Sequence, residues 1–198
     1  AQMKDSDPPL EVGVLHDVAF PLLDDARTRA GLNHVIVSTT RPETLFADVA
    51  LAVHPDDERY TTLPSDARVR HPLTDKVIPI VRDATLVDPA FGTGVVKVTP
   101  AHDAADYECG QRHQLPIVRM FDLDGRANAV AGKFAGTDRL ALRAVTVTEL
   151  ERLGVYVGSR SHATRVPRCS RTGDILEPLP LPQWYVKSSE LAKRVAPA

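Results

Sequence analysis

Apolar residues fall in short, β-branched runs separated by turn formers. The segments 12–20 (VGVLHDVAF), 34–38 (HVIVS), 49–53 (VALAV), 76–81 (KVIPIV), 94–99 (GVVKVT) and 115–121 (LPIVRMF) each predict a strand. Asp24-Asp25-Ala26 and Gly31-Leu32-Asn33 suit turns, and 87–94 (VDPAFGTG) reads as a loop feeding a strand. Helical spacing is scarcer. Pro42 to Phe46 is a candidate, with proline in the first turn where its missing N–H costs nothing. A second candidate spans 103–113, with Asp103 or Ala104 at its start. The third spans 136–153: Thr137 and Asp138 are the candidate caps, Leu140, Ala144, Val147, Leu150 and Leu153 the apolar positions, and Gly154 the terminator. Val155-Tyr156-Val157 then leads to a basic polar turn. A proline-rich tail, EPLPLPQWYVK (177–187), reads as an exit strand or linker. Strands first and helices late predict a mixed or barrel-like α+β domain rather than repeating βαβ units.

Composition narrows the function classes. The chain has 198 residues, a formal net charge of -2, 43% hydrophobic and 25% charged residues. That is the composition of a globular domain. It is too weakly basic for a protein that grips a long nucleic-acid backbone with a whole face, so any such contact is local. No run reaches the 18 or so apolar residues of a membrane helix. The two cysteines, Cys109 and Cys169, are far apart and have no ligand-like sequence neighbours, which argues against a disulfide framework or a zinc site. Phosphate-cradling, dinucleotide-binding and nucleophile-elbow motifs are absent. DLDGR (122–126) lacks the ligand ladder of a calcium loop and reads as a turn between strands.

Two stretches concentrate polar chemistry at strand ends. In VSTTRPET (37–44), Thr39 and Thr40 offer hydroxyls and Arg41 a planar fork of donors, with Thr44 one turn further on the same side. In FGTGVVKVTPAHDAADY (91–107), two glycines permit close backbone approach to a ligand. Lys97 and Thr99 share a strand face, and Asp103 and Asp106 share a helix face. Read alone, these are capped helix starts with surface charges. Read together, they form two walls of one site able to hold a zwitterion.

With AVHPDDERY (52–60), GQRHQLP (110–116) and PQWYVK (182–187), these motifs closely resemble the editing insertion of valyl-tRNA synthetase, over residues 10 to 190. The resemblance implies a β-barrel-like α+β editing domain with peripheral helices at 10–180. It also implies a flexible segment at 1–9 and an exit linker at 181–198 toward a catalytic domain. The implied activity is hydrolysis of the ester of threonyl-tRNA(Val). The alternative is a degenerate domain that only binds the tRNA acceptor end. An apolar pocket rejects an added hydroxyl by only about 10²-fold, a figure known for valyl-tRNA synthetase itself rather than obtained from this chain.

By the same resemblance Asp103 anchors the substrate ammonium, while Asp106, Lys97 and Thr99 read the threonine hydroxyl and order the ester. Arg41 and Thr44 hold the terminal adenosine, Thr39 and Thr40 line the wall, and Phe91 and Gly92 shape the adenosine side. Glu43 and His102 fall within the motifs without an assigned role. The implied partners are the tRNA(Val) 3′ acceptor end, its threonyl-adenosine moiety and the rest of the synthetase chain. No metal or cofactor is implied for editing; ATP and magnesium belong to the parent enzyme's catalytic domain, whose signatures this chain lacks. Two departures stand out: Thr172 replaces a second cysteine in CSRTG (169–173), and Ala47 replaces a glycine in LFADV (45–49), with Asp48 in place. The animal-like PQWYVK and the altered LFADV point to a eukaryotic enzyme of the cytoplasm or the mitochondrial matrix, the latter favoured.

Overall fold

The computed structural model describes residues 10–23, 30–189 and 192. The expected turn at 24–26, the N-terminal segment 1–9 and the end of the tail lie outside the described residues. The strands are β1 (Leu10–Pro21), β2 (His34–Thr39), β3 (Ala50–Val53), β4 (Arg68–Arg70), β5 (Val77–Arg82), β6 (Val95–Val98) and β7 (Tyr156–Arg165). Among the described residues, the α-helices α1 (Ala104–Arg112) and α2 (Arg139–Arg152) join 3₁₀ turns at Pro42–Ala47, Glu58–Tyr60 and Ala129–Phe134. One sheet has the order β2-β1-β7 and is antiparallel. The other has the order β4-β5-β3-β6, parallel only between β3 and β5. A bridge from Leu22 to Val69 ties the two sheets at a corner. The class is α+β as expected; the strands form two sheets with a shared core instead of closing into a barrel.

Alternation builds that core. Val18, Phe20, Val35 and Val37 face inward from the first sheet and meet Leu51, Val53, Val69, Ile78, Ile80 and Val95 of the second. β3 is buried at all four positions. Leu51 and Val53 join this core, while Ala50 and Ala52 pack on the other face with Val98 and Cys109 of α1. A strand covered on both faces has no polar position, which explains the unbroken run in its sequence.

Three expectations are corrected. The segment 115–121 forms no strand beyond a single bridge from Phe121 to Ala127. Its backbone is engaged elsewhere: Leu115 N donates to Gly110 O at 2.8 Å and Met120 N to the His102 ring at 3.1 Å. The supposed basic turn after Tyr156 is instead the ten-residue strand β7, paired with β1 from Leu10 to Val18. SRSHATR carries no apolar alternation, so the partner strand rather than local preference decides its conformation. Helix α2 keeps its Asp138 cap and Gly154 terminator, but its buried stripe is Leu142, Thr146 and Leu150. Leu140 is 51% exposed and Leu153 40%. A threonine in the buried stripe hides the true face from any reading that scores only apolar residues.

Candidate active site

The C-terminal end of β2, the β6 strand and the start of α1 converge on a cleft of about 340 Å³, within the range of small-molecule sites. Thr39, Thr40, Arg41, Thr44, Phe91, Lys97, Thr99, Asp103 and Asp106 all line it. Gly92 does not; it lies in a separate shallow recess beside Arg59 and Tyr60. The two glycines of FGTG serve packing. Gly94 has φ +72°, and a Cβ there would fall onto the Asp57–Arg59 ion pair; Gly92 has φ +58° and lies against Ser38. Phe91 stacks edge-on with His162 of β7, 5.4 Å between ring centres, so the unforeseen strand supplies part of the wall.

One polar cluster lies at the cleft floor. Thr99 Oγ1 donates to Asp48 Oδ1 at 2.9 Å, Lys97 Nζ reaches the same oxygen at 3.4 Å, and Lys97 also donates to Thr99 Oγ1. The TPAHD turn folds back because Asp103 caps α1: its Oδ1 accepts from Ala105 N at 2.8 Å and Asp106 N at 3.1 Å. That brings Asp106 Oδ2 within 2.8 Å of Thr99 N. Burial pushes the Asp106 carboxyl up to about 6, against the opposing pull of Lys97. A carboxyl raised in the folded state stabilises the fold fully below its ordinary range and loses that contribution as pH rises through about 6. Thermal melts across that window should therefore decline with rising pH in the native chain, and the decline should flatten in Asp106→Asn. An equal slope in both would remove Asp106 as the titrating group.

Arg41 is placed at the cleft but is heavily engaged. Its Nη1 donates to His102 O at 2.8 Å, Nη2 to Glu177 Oε2 at 2.5 Å and Nε to Glu43 Oε1 at 3.4 Å. Glu43 is in turn held by Arg143 at 2.8 and 2.9 Å in a two-point pair. His102 accepts at Nε2 from Met120 N, so its proton lies on Nδ1 and donates to Glu177 Oε1 at 3.0 Å. Arg139 also reaches Glu177, at 3.1 Å. The guanidinium of Arg41 thus shapes the wall with its fork turned toward protein acceptors. Thr44 Oγ1 donates to Arg41 O at 3.0 Å, closing the same turn.

Cys109 has ligand-like neighbours after all, in space rather than in sequence. Asp83, Cys109 and His113 bring one ligand atom each within 4.8 Å of one another. The Asp83 carboxylate is already taken, however. Oδ2 accepts from Arg112 and from His113, at 2.9 and 3.0 Å, and Oδ1 accepts from Thr85 N and Leu86 N. Burial, then Asp83, pushes the Cys109 thiol up to about 12. The cation on this carboxylate is the Arg112 guanidinium, and the trio fastens α1 to the end of β5.

Sequence reading missed Asp48 as a site residue, noting it only as retained in LFADV, and missed Glu177 altogether. Asp48 stands between LFA and VALAV, and one acid flanked by apolar residues on both sides was its available signal; in the fold all six residues of the 3₁₀ turn before it are buried. Glu177 stands at the head of a proline-rich tail, and nothing local marks it. Ala47, the departure from glycine, is 1% exposed and packs with Phe46, Met120 and Phe121, so its methyl is absorbed by the core.

Comparison with known proteins identifies the family. Residues 56–137 match the family model described as leucyl-tRNA synthetase, editing domain. The chain is 46% identical over 186 residues to a probable mitochondrial valine–tRNA ligase of Dictyostelium discoideum, covering 93% of this chain and 17% of that protein. It is 43% identical over 190 residues to valine–tRNA ligase of Schizosaccharomyces pombe, covering 96% and 19%. The chain thus spans about a fifth of the length of the curated relatives it matches. Among solved structures, "The crystal structure of GlLeuRS-CP1" superposes with a TM-score of 0.58 at 13% identity, over 75% of this chain and 99% of that one, a likeness of fold. The chain belongs to the editing-domain family of aminoacyl-tRNA synthetases, in the form carried by valine–tRNA ligases.

Proposed function

We propose that this chain hydrolyses the ester of mischarged threonyl-tRNA(Val), as the inserted domain of a valine–tRNA ligase. The observation that carries the reading is the single cleft that gathers an acidic group at the α1 start with the Lys97–Thr99–Asp106 cluster. Asp103 pairs with the substrate ammonium. The cluster satisfies a hydroxyl on the aminoacyl side chain; valine would fit but leave those groups unpaired, at a cost of about 1–3 kcal/mol for each. Water attacks the ester carbonyl, the bond to the ribose oxygen breaks, and threonine and free tRNA leave. Positioning and electrostatic stabilisation supply the rate. In this reading ATP and magnesium serve the ligase's catalytic domain, the acceptor end of tRNA(Val) is the partner, and the tail from residue 181 returns toward the rest of the synthetase. Mitochondrial relatives such as that of Dictyostelium support a mitochondrial setting.

The test is deacylation by the full-length ligase of threonyl-tRNA(Val) and valyl-tRNA(Val), compared with buffer. Threonyl ester loss at least about 100-fold faster than valyl is expected from hydroxyl reading. Loss of threonine no faster than in buffer would leave a domain that only holds the acceptor end.

A further inference from the structure

We propose that Asp48, backed by His71, sets the preference of the cleft for a hydroxyl-bearing aminoacyl side chain. This rests on the editing reading above and assigns its specificity to a residue that does not line the cleft. Asp48 lies directly behind Lys97 and Thr99, with its side chain fully buried. Oδ1 accepts from both of them. Oδ2 has no hydrogen-bond partner and faces His71 Nε2 at 3.6 Å, which is likewise buried and unpartnered.

The consequence is a fixed polarity. A hydroxyl has one proton and two lone pairs; Thr99 gives its proton to Asp48 and one lone pair to Lys97, so toward the cleft it has one lone pair and no proton. The Lys97 ammonium has three protons; one goes to Thr99 and one to Asp48, leaving one N–H for the cleft. Asp106 Oδ2 is taken by Thr99 N, and its other oxygen is an acceptor. The wall therefore offers one donor, on Lys97, and acceptors on Thr99 and Asp106, a pattern a substrate hydroxyl satisfies by accepting from the first and donating to one of the others at once. An aliphatic side chain satisfies neither.

His71 keeps Asp48 in that role. Its Nδ1 accepts from Leu73 N at 3.1 Å and Thr74 N at 3.2 Å, so its proton sits on Nε2, aimed at Asp48 Oδ2. Phe20 packs edge-on against the ring, 5.2 Å between centres, and fixes its plane. His71 never meets substrate; it is a positioning residue that acts through Asp48. An asparagine at 48 would offer an N–H to Thr99, free the hydroxyl proton and scramble the donor–acceptor pattern with little change in volume.

The experiment measures binding of two non-hydrolysable probes to the full-length enzyme by calorimetry: threonylamino-deoxyadenosine and valylamino-deoxyadenosine. The native enzyme should prefer the threonyl probe by about 100-fold or more, and Asp48→Asn should reduce that preference below about tenfold with valyl binding changed less than about twofold. His71→Leu should cut the preference about three- to tenfold, and His71→Gln, which restores an N–H donor, should recover most of it. An unchanged ratio in Asp48→Asn, equal weakening of both probes, or no preference in the native enzyme overturns the proposal. If Asp48→Asn fails to fold, the Leu and Gln variants of His71 decide alone. A native enzyme that prefers the threonyl probe yet does not hydrolyse threonyl-tRNA(Val) would defeat the editing reading and leave this inference standing. Hydrolysis with full discrimination in Asp48→Asn would do the reverse.

Discussion

Asp103→Ala is expected to slow hydrolysis of threonyl-tRNA(Val) by about 10²- to 10³-fold, the loss that follows when one member of a hydrogen-bonded charge pair is removed. The residue has two roles, and they separate cleanly. Its Oδ1 caps α1 through Ala105 N and Asp106 N, a contact worth about 1 kcal/mol. The second is the negative charge at the cleft, available to an ammonium. Alanine removes both, and asparagine keeps an oxygen for the cap while removing the charge. Asp103→Asn should therefore melt near the native temperature yet lose nearly as much activity as alanine. Kinetics on both variants, with threonyl-tRNA(Val) below and above saturation, locate the loss. Because the ammonium is held in ground state and transition state alike, much of it belongs in KM. If Asp103→Asn retained native kcat/KM, the residue would be a helix cap and nothing more.

The parts of this site legible in sequence are those where a motif is also a local structure. KVTPAHDAADY reads as a strand end, a turn and a capped helix start, and it folds as those. Its four polar residues reach one cleft because strand and helix periodicity place Lys97 with Thr99, and Asp103 near Asp106. TTRPET behaves likewise, with Thr39 and Thr44 both bonded across the turn that Pro42 starts.

What stayed hidden depends on partners far along the chain. β7 carries His162 and Thr164 to the cleft wall, but its sequence is polar at both parities and becomes a strand only because β1 lies beside it. Asp48 meets His71, 23 positions later, and Thr99, 51 positions later, and no pattern in either segment announces the meeting. The fork of Arg41 suggested an anion-binding group when read alone. In the fold its partners are Glu43 and Glu177, the second 136 residues away. Buried charge is satisfied globally, so its partners are the last feature that periodicity can reveal.

Glu177→Ala is expected to cost the most stability of any single change at this site. Glu177 joins three elements: Arg41 beside the cleft, His102 in the TPAHD turn and Arg139 at the start of α2. Its side chain is only 10% exposed. Removing one member of a buried ion pair leaves the others desolvated and unmatched, at about 3–5 kcal/mol. For a chain of this size that lowers the melting temperature by about 6–20 °C. Glutamine keeps a carbonyl oxygen for one donor and should fall between native and alanine. Burial alone would raise this carboxyl, but His102 and Arg41 outweigh it and hold it down to about 2. A depressed carboxyl contributes its stability in full above the ordinary glutamate range and loses it as pH falls toward about 2. The native chain should thus lose stability through that acid window, and the alanine variant should lose less. Trp184, the chain's sole tryptophan, lies seven residues along the tail and is fully exposed. Its fluorescence anisotropy should drop in Glu177→Ala if this carboxylate is what fastens the tail to the cleft. A melting temperature within a degree or so of native, with unchanged anisotropy, would mean that the arginines find other partners and that the node is dispensable.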